Sequence, residues 1–142
     1  MGRRTSATVA EPTVLLVIAL GGGIGASARY AIGQRWPVRP GQVPWSTFAI
    51  NVSGCLAIGI LMVLITEVWV AHRLLRPFLG VGVLGGYTTF STYCLEIRRL
   101  LESGATAEAF GYLGGSVIAA LAAVAIGMGM ARSASRRGRR GG

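Results

Sequence analysis

The 142-residue chain has no lysine, no aspartate, one histidine (His72) and only five glutamates. Without aspartate no Ser-His-Asp set can be assembled. Paired deep carboxylates, a phosphate loop and a metal-ligand cluster are missing too, so no catalytic constellation is legible. The glycine-rich stretch Gly21-Gly22-Gly23-Ile24-Gly25 resembles a nucleotide turn only superficially, lacking a preceding strand pattern and a downstream ribose-binding acid. Charge is scarce as well: 13% of residues are charged, against 52% hydrophobic and a mean hydropathy of +0.58. A soluble domain carries about twice that share of charge, which leaves an integral membrane protein. Cys55 and Cys94 both fall inside apolar segments, read as small buried hydrophobes, and show no zinc or haem spacing.

What the chain does have is glycine, at 22 residues, and 14 arginines that give a net charge of +9. The run Arg136-Arg137-Gly138-Arg139-Arg140 has no aromatic interleaving and no recognisable binding motif, so nucleic acid is rejected as a partner. The arginines sit between apolar windows and at the ends, where they set membrane orientation. Spanning a bilayer takes about 20 apolar residues. Four windows qualify: 13–33, 45–70, 78–95 and 107–131. The expected organisation is an N-terminal tail over 1–12, a four-helix transmembrane unit over 13–131, and a basic, disordered tail over 132–142 near anionic lipid headgroups. His72, beside Arg73, is expected as a solvated interfacial residue. Arg3-Arg4, the first apolar run and Ala26-Ser27-Ala28 mimic a cleaved signal peptide. The segment is interrupted by glycines and continues past that point into Arg29-Tyr30, so a retained crossing is expected. Four crossings put both termini and the 71–77 connection on one side, with nine arginines against four on the other. That bias favours cytoplasmic termini.

The third window contains Gly85-Gly86-Tyr87-Thr88-Thr89-Phe90-Ser91-Thr92-Tyr93. Adjacent glycines weaken a helix there, and four hydroxyl side chains follow. Lipid gives such groups no water, so a polar break persists only if it is buried in protein or lines an ion or water path. Phe90 and Tyr93, three apart, share a helix face. Other polar groups lie in the apolar windows. Asn51 is either an interhelical clasp or a donor facing an anion. Thr47 and Asn51, and Tyr112 and Ser116, are each four apart and extend a donor-rich track. Arg29 either snorkels to the interface or gathers anions at a pore mouth. Glu67 is expected at the interface, and Glu96 in an ion pair with Arg98 or Arg99 or as a proton-linked carboxylate. Small residues recur four apart at Gly21/Gly25, Ser53/Ala57, Gly82/Gly86 and Gly111/Gly115, which suits close helix approach.

Taken together, Gly-Gly-x-Gly-Ala-x-x-Arg-Tyr at 22–30, the 44–51 entry to the second window, Gly85 to Thr92, and Tyr112 with Ser116 resemble the small fluoride channels of microbes, the Fluc or CrcB family. The resemblance covers all four windows and omits only the tails. It implies a dimer of oppositely inserted subunits with two fluoride pores at the interface, in the cell inner (plasma) membrane. It also implies a structural sodium ion at the dimer centre, held by the backbone carbonyls of Gly85 and Thr88. The family's pore positions carry over as Asn51, Phe90, Thr92, Tyr93, Tyr112 and Ser116, with Arg29 as the vestibule cation. Tyr93 stands where the pattern has phenylalanine, and its added hydroxyl strengthens or reroutes ion contacts. The arginine bias suits pairing with a separately encoded, oppositely oriented relative, with a homodimer as the alternative. A small proton-coupled multidrug transporter, also of four crossings, needs a deep carboxylate in its first helix, and none exists here. A non-transporting membrane scaffold would use the small-residue faces for assembly alone.

Overall fold

The computed structural model describes residues 11–39, 41–68 and 73–140, the side chains of 138–140 excepted; His72, Arg3 and Arg4 lie outside the described residues. All regular structure among the described residues is helical. Helix α1 (Pro12–Arg35) opens with proline in its first turn, where the missing N–H costs nothing. Helix α2 (Trp45–Val63) follows Pro44 and runs on through wider turns at Leu64–Val68. Helix α3 comprises wide turns over Arg76–Leu84 and a last turn at Gly85–Tyr87. Helix α4 (Phe90–Glu102) and helix α5 (Thr106–Arg140) complete the chain.

Between α4 and α5 the chain reverses at Gly104, whose φ of +79° is left-handed. The Ala105 N–H donates to the Leu100 carbonyl and the Gly104 N–H to the Leu101 carbonyl, at 2.9 and 3.1 Å. This pair of bonds is a Schellman stop, which satisfies carbonyls that the helix end leaves free.

Among the described residues three helices are long and apolar enough to cross a membrane: α1, α2 with its extension (Trp45–Val68), and α5. The expected third window, 78–95, is split between α3 and α4 and forms no continuous span. Ion pairs tie one set of ends together. Glu11 meets Arg73 at 3.0 Å, and Glu67 meets Arg132 at 2.8 Å. The start of α1, the end of α2, the start of α3 and the far part of α5 therefore lie on one side. Glu67 is thus an ion-pair partner as well as an end-of-span residue.

Helices α1 and α3 approach closely enough that side chains would not fit. A Cβ on Gly21 would stand 2.6 Å from the Phe78 carbonyl oxygen, and one on Gly25 would collide with the Val83 carbonyl. Gly86 faces the Gly22 carbonyl in the same way. Helices α2 and α5 repeat the device, with Gly59 against Val124 and Gly127 against Leu56. Lipid tails supply no hydrophobic drive between helices, so backbone-to-backbone packing takes over. Of the spaced pairs, Gly21/Gly25 and Gly82/Gly86 face each other across α1 and α3. Gly111 and Gly115 instead face open space, within an α5 surface that also exposes Ile118 and Leu121.

Two differences from expectation stand out. Gly85 and Gly86 remain helical, because Gly86 provides close approach to α1, and the chain opens two residues later at Thr88–Thr89. The 132–142 tail was expected to be disordered, yet α5 continues without a break through Arg140; 141–142 lie outside the described residues. Alanine, serine and arginine are tolerable helix formers, and here they extend a helix already nucleated in the apolar part.

Candidate functional site

At the break, Thr88 (ψ 159°) and Thr89 (φ −148°, ψ 125°) adopt extended backbone. Asn51, on α2, closes a reciprocal clasp on this segment. Its Nδ2 donates to the Thr89 carbonyl and its Oδ1 accepts from the Thr89 N–H, both at 2.9 Å. The amide supplies one donor and one acceptor where the helix cannot, and this satisfies backbone groups that lipid would leave bare. Thr89 then caps α4: its Oγ1 accepts from the Thr92 N–H at 3.2 Å and donates to Thr92 Oγ1 at 2.9 Å.

These contacts have a second consequence. In a continuous helix the Thr89 N–H would bond the Gly85 carbonyl and the Thr92 N–H the Thr88 carbonyl. Both donors are directed elsewhere, to Asn51 and to the Thr89 hydroxyl. The carbonyls of Gly85 and Thr88 thereby lose their usual helical partners. The Thr88 hydroxyl turns back to the Leu84 carbonyl at 2.9 Å.

A cavity of about 310 Å³ lies against the break. Asn51, Gly85, Thr88, Phe90, Tyr93 and Ser116 are among its lining residues. Ser116 Oγ is buried without a hydrogen-bond partner, with the residue 9% exposed. A buried hydroxyl without a partner costs about 1–3 kcal/mol, which a polar occupant of the cavity would recover. Phe90 is 77% exposed at the outer edge, its ring centroid 5.8 Å from that of Tyr93. The Tyr93 ring in turn meets that of Tyr112, centroids 5.3 Å apart and planes tilted by 56°. The Tyr93 hydroxyl donates to the Leu113 carbonyl on α5 at 2.7 Å. That bond points the added oxygen at a neighbouring helix and leaves the ring lining the cavity.

The donor track read from spacing divides in two. Asn51 and Ser116 reach the cavity, while Thr47 and Tyr112 bond the Glu96 carboxylate at 2.7 and 2.9 Å. Neither Arg98 nor Arg99 forms a salt bridge with Glu96. Arg98 pairs with Glu102, one turn onward on its own face, at 2.7 Å, whereas Glu96 faces α2 and α5. Glu96 also borders a second hollow of about 480 Å³, with Arg39 and Arg99 at its rim. Arg29 is half-buried and its Nε donates to the Gly86 carbonyl at 3.2 Å, pinning α1 to the segment just before the break. Thr92 stays in the capping network and does not line the cavity. The Glu96 cluster was not legible as such. The four-residue spacings of Thr47/Asn51 and Tyr112/Ser116 were its only traces, since spacing does not reveal which helix a side chain faces.

This architecture defines a helical, multi-pass membrane protein in which the extended junction between α3 and α4 is held by an asparagine clasp beside a partly polar cavity. The chain matches the CrcB-like protein, Camphor Resistance (CrcB) family over residues 16–128, and it belongs to that family. It is 65% identical over 130 residues to "Fluoride-specific ion channel FluC 2" of Nocardia farcinica, covering 92% of this chain and 93% of the relative. It is 55% identical over 111 residues to "Fluoride-specific ion channel FluC 2" of Streptomyces avermitilis, covering 78% and 70%. A second protein of the same strain, "Fluoride-specific ion channel FluC 3", is 45% identical over 124 residues, covering 87% and 61%.

Proposed function

We propose that this protein is a fluoride-selective channel of the cell membrane that lets fluoride leave passively and so lowers its cytoplasmic concentration. The observation that carries the reading is the unpartnered Ser116 hydroxyl, buried in the cavity that Asn51, Phe90 and Tyr93 also line. Family membership and the names of the relatives support it. Fluoride is small and strongly hydrated, so donors at close range must offset the loss of water. Ser116 offers an O–H, and Asn51 keeps the second N–H of its amide beyond the one given to Thr89. The rings of Phe90 and Tyr93 offer partially positive edges. Narrowness and fixed geometry disfavour the larger chloride. Passive permeation of this kind makes and breaks no covalent bond, so the reading is of a channel and not of an enzyme. Thr92 and Tyr112 act by holding the break and the Glu96 cluster beside the path, and Arg29 by fixing the approach to it.

The conducting unit is residues 13–131, with α3 and α4 together forming a fourth, broken crossing. Two such subunits, inserted in opposite orientations, make the dimer. The 77% exposure of Phe90 supports a second subunit covering it. A structural sodium ion at the dimer centre fits the Gly85 and Thr88 carbonyls, because both have lost their helical donors and a hard cation takes such oxygens. Bound there, sodium would supply fixed positive charge beside the anion path. The arginine bias favours pairing with a separately encoded relative of opposite orientation, and the two differently numbered relatives in one Streptomyces strain are consistent with that. Purified protein in fluoride-loaded liposomes, with potassium and valinomycin to balance charge, tests the function. A fluoride electrode should record rapid release that Phe90→Ile abolishes. Silence from this chain alone and from this chain with its relative would overturn the reading.

A further inference from the structure

The end of the bundle where α1 starts and α5 finishes has a charge arrangement that permeation does not use. Two glutamates there, Glu11 and Glu67, are each held by an arginine, Arg73 and Arg132. Arg76, Arg136 and Arg137 are exposed and have no ion-pair partner among the described residues. The Glu67–Arg132 contact is two-pronged, with Arg132 Nε and Nη2 both reaching the carboxylate, at 3.0 and 2.8 Å to the same oxygen. It fixes α5 against the end of α2 just where the apolar part of α5 gives out.

The helix does not stop there. Thr106–Arg140 is 35 residues, about 52 Å at 1.5 Å per residue. The hydrocarbon core is about 30 Å thick, and about 40–45 Å with both headgroup layers. The surplus carries the basic turns of α5 through one headgroup layer. Arg132 and Arg136 are four apart on this helix and share a face, with Arg137 exposed beside them. Beside them Glu67, Arg132, Ser135 and Arg136 border an open polar recess of about 410 Å³. Its single carboxylate is paired with Arg132, so two arginines face one glutamate and the recess keeps an excess of positive charge.

We propose that this end of the bundle, with Arg136 and Arg137 on α5 and Arg76 at the start of α3, binds the headgroups of anionic phospholipids. The phosphate and its negative charge are what an exposed guanidinium recognises. The height of α5 brings the arginines to headgroup level, and clustered arginines just beyond a membrane span attract anionic lipid. The proposal is independent of what the pore conducts.

Spin-label lipid selectivity tests it on the full chain reconstituted in phosphatidylcholine vesicles. The relative association of spin-labelled phosphatidylglycerol against spin-labelled phosphatidylcholine is read from the motionally restricted fraction. Each arginine near the surface strengthens anionic-lipid association about fivefold. The preference for phosphatidylglycerol should therefore fall by up to about 25-fold in Arg136→Gln/Arg137→Gln, and Arg76→Gln should lower it further. Truncation after Ser135 removes the same groups and guards against a local defect in the double variant. Preference should weaken with added salt but survive inorganic phosphate at matched ionic strength. Equal association of the two lipids, or an unchanged preference in both the double variant and the truncation, overturns the proposal. Displacement of the lipid by inorganic phosphate alone would also overturn it, assigning the face to free anions.

Discussion

Tyr93→Phe separates two roles for one oxygen. The hydroxyl donates to the Leu113 carbonyl at 2.7 Å, inside α5, where that carbonyl also keeps its ordinary helical donor four residues on. Removing the hydroxyl therefore strands no backbone group. Interhelical bonds of this kind in membranes are worth about 0.6 kcal/mol on average and at most about 1.7. The ring itself is 7% exposed and packed between Phe90 and Tyr112, so it stays in place. The expected result is a small loss of thermal stability in detergent, with fluoride flux and fluoride-over-chloride selectivity within about threefold of wild type. A hydroxyl that ligated the ion would behave differently. A hydrogen bond to a charged group is worth about 1.5–3 kcal/mol, or roughly 10- to 150-fold in ion affinity. Liposome efflux and thermal unfolding, measured on the same preparations, distinguish the two. A drop in flux beyond tenfold with unchanged stability would refute the assignment of that oxygen to Leu113.

Other substitutions probe the break and the packing around it. Asn51→Ala strands the Thr89 N–H and carbonyl at a cost of about 1–3 kcal/mol each, so both thermal stability and flux should fall. Asn51→Asp keeps the acceptor for the Thr89 N–H but adds a negative charge, and should lose flux more completely than stability; undiminished efflux would place the path elsewhere. Gly25→Ala forces a Cβ into the Val83 carbonyl and should destabilise by about 1–3 kcal/mol or more, read as a lowered melting temperature. Gly22→Ala, where open space surrounds the built Cβ, should be tolerated in the same assay. Exhaustive exchange of sodium for N-methylglucamine should weaken the proposed dimer on size exclusion and lower flux, with sodium restoring both; indifference to the exchange would rule out the proposed sodium site.

Much of the architecture is written in hydropathy. Long apolar windows specify α1, α2 and α5 because lipid requires every backbone group to be bonded within its own segment. The position of the break was legible only approximately. Gly85-Gly86 announces weakness, but the opening at Thr88–Thr89 depends on Asn51, 38 residues distant, reaching across from another helix. Spacing likewise joined Thr47 to Asn51 and Tyr112 to Ser116, while the structure sends one member of each pair to Glu96 and the other to the cavity. Periodicity assigns residues to a face of their own helix and is silent on what the face meets. The glycine pairs show the same limit: Gly21/Gly25 and Gly111/Gly115 read alike, yet the first pair is closed on α3 and the second is open. The helical extension to Arg140 was hidden because a run of arginine, serine and glycine reads as a solvated tail unless a preceding helix carries it on.

The central claim is tested most directly by the reversal potential of the reconstituted protein in a planar bilayer with opposed fluoride and chloride gradients. A passive fluoride-selective path predicts a current that reverses at the fluoride equilibrium potential, shifting by about 59 mV for each tenfold change in fluoride gradient and ignoring chloride. A reversal potential that follows chloride, or one that moves with a proton gradient instead, would contradict it.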